Sequence, residues 1–116
     1  MQYMLLIYTD ESGAATLPQP ELRAMYAQYG AFSRELREAG KLGPNEELEA
    51  PDTARSLRLE DGRPVVTDGP YAETREQLGG YYLIEAKDLD AALGIAARIP
   101  GARYGSIEVR PIWLYN

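Results

Sequence analysis

One short segment of the chain holds the side chains best suited to acid–base chemistry. Asp68 and Tyr71 lie close together, and Glu73, Arg75 and Glu76 follow within eight residues of Asp68. Partial burial in a cleft raises the pKa of a carboxyl group, which makes Asp68 a candidate general acid or base. Tyr71 is a candidate hydrogen-bond donor, and the Arg75 guanidinium can bind an anionic group through two parallel hydrogen bonds. The segment predicts a binding site for a small polar ligand, with Glu73 and Glu76 as further contacts.

The same residues also have a purely structural interpretation. In the turn Asp68-Gly69-Pro70, the aspartate can accept hydrogen bonds from the backbone N–H groups that follow it, glycine supplies an unusual dihedral angle, and proline fixes the exit of the chain. The charges of Glu73, Arg75 and Glu76 can pair with one another on a solvated loop, where they contribute little energy. The sequence leaves both interpretations open.

The composition excludes several kinds of chemistry. The chain has 116 residues, with no cysteine and no histidine. Disulfides, thiolate nucleophiles and cysteine-based metal sites are therefore excluded, and the commonest general base is missing. No spacing of carboxylates is typical of a Mg²⁺ or Ca²⁺ site. Gly79-Gly80 lacks the pattern of a phosphate-binding loop and instead indicates a close backbone approach or a bulge. We expect neither a metal nor a cofactor.

Charge and hydropathy limit the partners and the location. Eighteen acidic residues against twelve basic ones give a formal net charge of −6, which disfavours nucleic acid or an anionic membrane as the main partner. The apolar residues 1–8 are too few for a signal peptide, and no basic residue precedes them. No run approaches the roughly 18 to 20 apolar residues of a membrane span. We expect a cytoplasmic protein.

Periodicity predicts two helices in a single domain over residues 1–116. Apolar residues at spacings of three and four predict a long helix of about 18 residues that ends near Gly40, with Pro18 or Pro20 at its start. Its stripe consists of Leu22, Met25, Tyr26, Tyr29, Phe32, Ser33 and Leu36. Asp88 is a suitable N-cap for a second helix, which is stopped by Pro100-Gly101. The stripe of this helix consists of Leu89, Ala92, Leu93, Ala96 and Ile99.

Alternating and continuous apolar runs predict five strands. They are Tyr3 to Tyr8, Arg55 to Glu60, Arg63 to Thr67, Tyr81 to Ile84, and Ser106 to Leu114. Asp61-Gly62 joins the second and third as a hairpin, which we expect to turn Leu57, Leu59 and Val65 toward a core. In the last strand, Ile107, Val109 and Trp113 share one face. Lys41 to Thr53 is interpreted as a loop with room for a short strand around Leu48.

This order of elements predicts an α+β fold with a ferredoxin-like split βαβ arrangement, in which helices cover one face of an antiparallel sheet. Tyr3 to Tyr8 and Tyr81 to Ile84 are apolar on the other face as well, and a large exposed apolar patch usually marks an interface. A standard interface buries about 800 Å² per partner. We predict a two-fold homodimer whose open sheet faces meet around a barrel-like interior. Glu108 and Arg110 either line that interior as a charged pair or lie at a wet edge.

A longer motif carries a family resemblance. The run from Thr67 to Tyr81, TDGPYAETREQLGGY, resembles the YCII-related family, and in particular the branch named for its Asp-Gly-Pro-Phe motif, with Tyr71 in place of the phenylalanine. The similarity extends from Tyr3 to Pro111. It implies a dimeric α/β barrel with a cleft near the dimer interface, and an association with extracytoplasmic-function sigma factors. A His/Asp pair is suggested as the catalytic centre of the other branch. This chain has no histidine, so the resemblance transfers only Asp68.

Two hypotheses of function follow. The first is a homodimeric protein that binds a small molecule in a cleft between the sheet, the motif loop and the partner subunit. Its accessible chemistry is proton transfer, as in an isomerase or lyase, with Asp68 and Tyr71 as catalytic residues and Arg75 as anion anchor. The second is a non-catalytic regulatory protein that partners a sigma factor.

Overall fold

The computed structural model describes residues 1–10 and 17–114. Four strands form the main sheet and two pair in a separate hairpin, with two helices and two short 3₁₀ turns between them. In chain order these are β1 (Gln2–Asp10), α1 (Gln19–Glu38), β2 (Leu42–Glu47), a turn at Pro51–Thr53, β3 (Arg55–Glu60), β4 (Arg63–Asp68), β5 (Glu76–Glu85), α2 (Leu89–Ala96), a turn at Pro100–Arg103, and β6 (Gly105–Pro111).

The main sheet is antiparallel, with the strand order β2-β5-β1-β6. Strand β5 therefore lies between β1 and β2, which are themselves joined through α1. This is the split βαβ connection, and the predicted ferredoxin-like α+β fold is confirmed. The β3–β4 hairpin is inserted between the second and third strands of the sheet.

Both helices pack on one face of the sheet. The buried core joins alternate residues of β1 and β5 to residues of both helices, and the Phe32 ring meets the Tyr82 ring edge-on at a centroid distance of 5.3 Å. Such aromatic pairs add about 1 kcal/mol beyond the area they bury. The main core residues are Tyr3, Leu5, Ile7, Phe32, Leu36, Tyr82, Ile84, Ala92, Ile95, Ala96 and Ile99.

The starts of both helices and the end of α1 follow the predicted signals, whereas α2 ends at Ala96, before the predicted stop at Pro100-Gly101. Helix α1 begins after Pro18, and Gly40 follows its end with a φ of 71°, a conformation that glycine adopts without strain. At the start of α2, the Asp88 carboxylate accepts a hydrogen bond from the Ala91 N–H at 2.8 Å, so the predicted N-cap is confirmed. In α1 only Phe32 and Leu36 are fully buried, which shows that the other half of the helix is less tightly packed.

The opposite face of the sheet is not covered by either helix. It carries apolar side chains at alternate positions of β1 and β5, all of them only half-buried: Met4, Leu6, Tyr8, Tyr81 and Leu83. Glu108 and Arg110 lie on this face, opposite Leu6 and Met4, and their charged groups are 3.8 Å apart. The predicted apolar open face is therefore present, while the homodimer that would cover it stays a prediction.

Strand β2 corrects the interpretation of Lys41 to Thr53 as a loop. Leu42–Glu47 pairs with β5 through an irregular register, and Leu48 only extends this pairing with one hydrogen bond from its N–H to the Gly79 carbonyl. The segment contains Gly43 and Pro44, so it lacks the apolar alternation that indicates a strand. A proline is tolerated because β2 is at the edge of the sheet. The partner strand, rather than local propensity, makes this segment extended.

The glycine pair within β5 is confirmed as a close approach and a bulge. The pairing of β1 with β5 shifts opposite Gly79, since Ile7 faces Gly80 while Tyr8 faces Leu78. A Cβ atom on Gly80 would lie 2.7 Å from the Glu46 carbonyl oxygen of β2. Gly80 therefore lets β2 approach β5.

The β3–β4 hairpin, called the arm below, forms at the predicted turn but not with the predicted orientation. Asp61 and Gly62 both have positive φ, as a two-residue hairpin turn of this kind requires. The arm pairs with no strand of the main sheet. Its apolar side chains are largely exposed, Leu57 to 61% and Leu59 to 69%. The expectation that the hairpin turns them toward a core is therefore wrong.

The register of the arm also corrects the grouping of its apolar residues. Leu57 lies opposite Val66, whereas Val65 lies opposite Arg58. Neighbouring residues of a strand point to opposite faces, so Val66, and not Val65, shares the face of Leu57 and Leu59.

The last strand is shorter than predicted. Ile107 and Val109 pack against the core as expected, but β6 ends at Pro111. Trp113 lies beyond it and is 77% exposed. The prediction that the strand runs to Leu114 with Trp113 on the face of Ile107 and Val109 is therefore wrong, because the strand ends before that residue.

Candidate functional site

The Asp68-Gly69-Pro70 turn closes the base of the arm. The Asp68 carboxylate is 3.2 Å from the Arg55 guanidinium, and the Asp68 side chain is 90% exposed. Gly69 has a φ of 92°, donates its N–H to the Ala54 carbonyl and accepts a hydrogen bond from the Ser56 hydroxyl, both at 2.8 Å. Within residues 1–10 and 17–114, nothing provides the partial burial expected for Asp68. Gly69 supplies the unusual dihedral angle of the structural interpretation, but among the described residues the Asp68 carboxylate pairs with Arg55 rather than accepting a hydrogen bond from a following backbone N–H.

The next two candidates contact different parts of the chain. The Arg58 guanidinium lies 5.0 Å from the centre of the Tyr71 ring, so Tyr71 packs beside the arm. The Arg75 guanidinium is 3.5 Å from the Asp10 carboxylate at the end of β1. Arg75 is thus placed near an acidic partner of the main sheet, away from the cation–π contact of Tyr71.

The remaining predicted ligand contacts are dispersed as well. Glu73 is exposed, Glu76 is half-buried at the start of β5, and Glu108 and Arg110 lie on the uncovered sheet face. None of the seven predicted site residues lines the cavity that lies between α1 and the sheet. In a single subunit they do not form one site.

That cavity lies between the N-terminal half of α1, the sheet and the Pro100–Arg103 turn. Its volume is about 360 Å³, which is in the range of pockets that hold a small organic molecule. The walls are mainly aromatic and aliphatic, and their side chains include Ile7, Leu22, Met25, Tyr26, Tyr29, Tyr82 and Tyr104. The cavity explains why the N-terminal half of the α1 stripe is only partly buried.

A tyrosine and a carboxylate meet at the edge of this cavity. The Tyr26 hydroxyl donates a hydrogen bond to Glu47 Oε1 at 3.0 Å. This hydrogen bond raises the pKa of Tyr26, and the charge of Glu47 and slight burial add to the effect. Tyr26 therefore keeps its proton, and Glu47 presents a carboxylate group that can accept one.

A second tyrosine hydroxyl is placed by a backbone group. The Gly101 N–H donates a hydrogen bond to the Tyr29 oxygen at 3.0 Å. Burial raises the pKa of Tyr29 and outweighs the opposing effect of this hydrogen bond. A Cβ atom on residue 101 would collide with the hydroxyl oxygen, so the contact requires glycine. Among the described residues the Tyr29 proton has no acceptor, and it can be donated to a ligand.

Sequence reasoning missed these cavity residues for identifiable reasons. It favoured the core for Tyr26 and Tyr29, yet Tyr26 is 52% exposed and Tyr29 is half-buried against the core. Glu47 was part of the segment interpreted as a loop. The available signal was the need of each tyrosine hydroxyl for a polar partner; the identity of that partner depends on contacts between distant residues.

Metal binding and membrane insertion are two other classes of function that the described residues bear on. Within residues 1–10 and 17–114, no three acidic side chains are grouped so that they could hold a metal ion. In the same part of the chain, no helix is both long and apolar enough to cross a membrane. Cytoplasmic localisation stays a prediction.

The fold and the cavity together define a small ferredoxin-like α+β protein with a ligand-sized space between helix and sheet. The sequence model of the YCII-related domain matches residues 1–116, and the chain belongs to this family. An uncharacterised protein of Rhizobium meliloti (strain 1021) is 43% identical over 118 residues, covering 100% of this chain and 95% of that protein.

A solved structure shares the fold at low sequence identity. It is the 5-chloro-2-hydroxyhydroquinone dehydrochlorinase TftG from Burkholderia phenoliruptrix AC1100, in complex with 2,5-dihydroxybenzoquinone. It is 13% identical, has a TM-score of 0.57, and is matched over 100% of this chain and 96% of that one. This similarity supports the fold assignment alone.

The raised pKa of Tyr29 predicts a specific titration. Replacing Tyr29 by phenylalanine should remove a tyrosinate signal that appears above the ordinary pKa of about 10. The folded state keeps this proton while the unfolded state releases it, so the wild-type chain should lose stability as the pH rises above 10, and Tyr29→Phe should lose less. Near-ultraviolet absorbance and denaturant unfolding measure the two effects. The prediction is contradicted if the tyrosinate signal that Tyr29→Phe removes is one that appears at or below pH 10 in the wild type.

Proposed function

We propose that this protein binds a small organic molecule in the cavity between α1 and the sheet. The observation that carries the proposal is a largely apolar space of about 360 Å³ with a few polar groups at defined positions. The Tyr29 hydroxyl and the Tyr26–Glu47 pair are those groups. Apolar walls supply most of the binding energy in such sites, and a few hydrogen-bonding groups orient the ligand.

We propose further that the functional unit is a homodimer in which the uncovered sheet faces meet. The half-buried Met4, Leu6 and Leu83 on this face support the proposal, because a contiguous apolar surface is unfavourable in water. Glu108 and Arg110 would then flank the contact between subunits. The candidates of the motif loop stay predicted site residues: Asp68, Tyr71, Glu73, Arg75 and Glu76. A partner subunit would be needed to bring them to a ligand.

Proton transfer is the activity that the polar groups of the cavity favour. Glu47 provides a carboxylate that can accept a proton, and the Tyr29 hydroxyl can stabilise a developing negative charge on oxygen by donating a hydrogen bond. The solved structure that shares the fold is that of a 5-chloro-2-hydroxyhydroquinone dehydrochlorinase. Lyase-like or isomerase-like chemistry is therefore the proposed reaction class.

The finer family assignment is part of the same proposal. Asp68-Gly69-Pro70-Tyr71 supports membership of the branch named for the Asp-Gly-Pro-Phe motif. Association with an extracytoplasmic-function sigma factor stays a prediction from the resemblance, and no contact or surface described above favours it over ligand binding.

Filling the cavity tests the binding site. Leu22→Trp should occupy much of the space and lower the affinity for any ligand of the cavity by about tenfold or more, which is about 1.4 kcal/mol. Ligands are found by thermal-shift screening of a metabolite library that includes 2,5-dihydroxybenzoquinone. Leu89→Trp, on the exposed side of α2, is the matched control and should bind as the wild type does. Equal affinities of the two variants would place the ligand elsewhere.

Two amide substitutions distinguish the candidate carboxyl groups. With a ligand identified in that screen, Glu47→Gln should lower turnover about a hundredfold, since it removes the proposed proton acceptor. Asp68→Asn should change turnover and affinity less than about threefold, because an exposed ion pair with Arg55 contributes little. The reverse pattern in folded protein would assign the chemistry to Asp68, as the motif interpretation predicts.

A further inference from the structure

The arm presents an apolar face that the described chain does not cover. Leu57, Leu59 and Val66 share this face, and Leu59 lies opposite Pro64. Val66 is 58% exposed, and the two leucines more so. An isolated two-stranded hairpin is only marginally stable in water, and it needs packing against another element to persist. Ligand binding in the cavity does not account for this surface.

The chain exposes more surface than a compact monomer of its mass. The accessible surface of the chain is 8305 Å², whereas a compact monomer of 12.9 kDa exposes about 6,300 Å². The radius of gyration is 16.2 Å, compared with about 13 Å for a compact domain of this length. The excess surface is larger than the roughly 800 Å² that each partner buries in a standard interface.

The base of the arm is held by specific contacts, so the apolar face has a defined direction. The Arg55–Asp68 ion pair joins the two strands at the base, and the Ser56 hydroxyl donates to the Gly69 carbonyl. On the face opposite the leucines, Arg58 packs over the Tyr71 ring. The motif residues thus hold one face of the arm and leave the other available for a partner.

We propose that the apolar face of the arm packs against a second copy of this chain. The inference rests on the homodimer proposed above and adds a second contact to it. A second copy is favoured because the same chain carries another uncovered apolar surface, on β1 and β5. In a two-fold dimer, each contact between a surface of one subunit and its partner occurs a second time with the subunits exchanged. The arms would then extend the contact between sheet faces and bury apolar surface that one chain leaves in water.

Two single-cysteine variants test this contact, since the wild-type chain has no cysteine. Val66→Cys places a thiol on the apolar face, and Val65→Cys places a matched control on the opposite face of the same strand. In one chain Val66 is 58% exposed and Val65 is 37% exposed, so an undocked arm predicts faster labelling at position 66. If the arm is docked, we expect the opposite order, with the thiol at position 66 labelled about tenfold more slowly than the thiol at position 65. A maleimide reagent measures both rates, and the rates in denaturant provide the reference.

The outcomes separate the arm contact from the homodimer. Faster or equal labelling at position 66 in a dimeric protein overturns the arm contact and leaves the homodimer intact. If the wild-type chain sediments as a single subunit, both proposals fail. Protection at position 66 that appears only after a different protein is added also overturns the inference, because it assigns the surface to another partner.

Discussion

The structure depends on burial at a single face of its sheet. Both helices place their buried residues against Tyr3, Leu5 and Ile7, so the core is built on one side of β1 and β5. The alternate residues of the same strands are also apolar, but they are only half-buried. This one-sided packing leaves space under the N-terminal half of α1 for a cavity, and it leaves the other sheet face uncovered by the helices.

Local signals predicted the elements that form their own contacts. The apolar stripe of α1, the Asp88 cap and the Asp61-Gly62 turn each depend on residues close in sequence, and each is present. Strand β2 was not predicted, because its extended conformation depends on pairing with β5. The orientation of the arm was not predicted either, since periodicity shows that a face is apolar but does not show what packs against it.

The candidate site shows the same limit. The motif residues are adjacent in sequence and are easily recognised as a group, yet in the folded chain Asp68, Tyr71 and Arg75 contact separate partners. The cavity residues come from distant positions: Tyr26 meets Glu47, and Tyr29 meets Gly101. Neither contact leaves a spacing pattern in the sequence. The only indication of either pair in the sequence is that a tyrosine hydroxyl needs a hydrogen-bond partner when it is buried.

The central claim is that a second copy of the chain covers the surface that the helices leave open. Sedimentation equilibrium of the wild-type protein at micromolar concentration tests it most directly, because the measured mass does not depend on any ligand or substitution. The homodimer should sediment as a species of twice 12.9 kDa. A single chain of 12.9 kDa that remains monodisperse over this concentration range would contradict it.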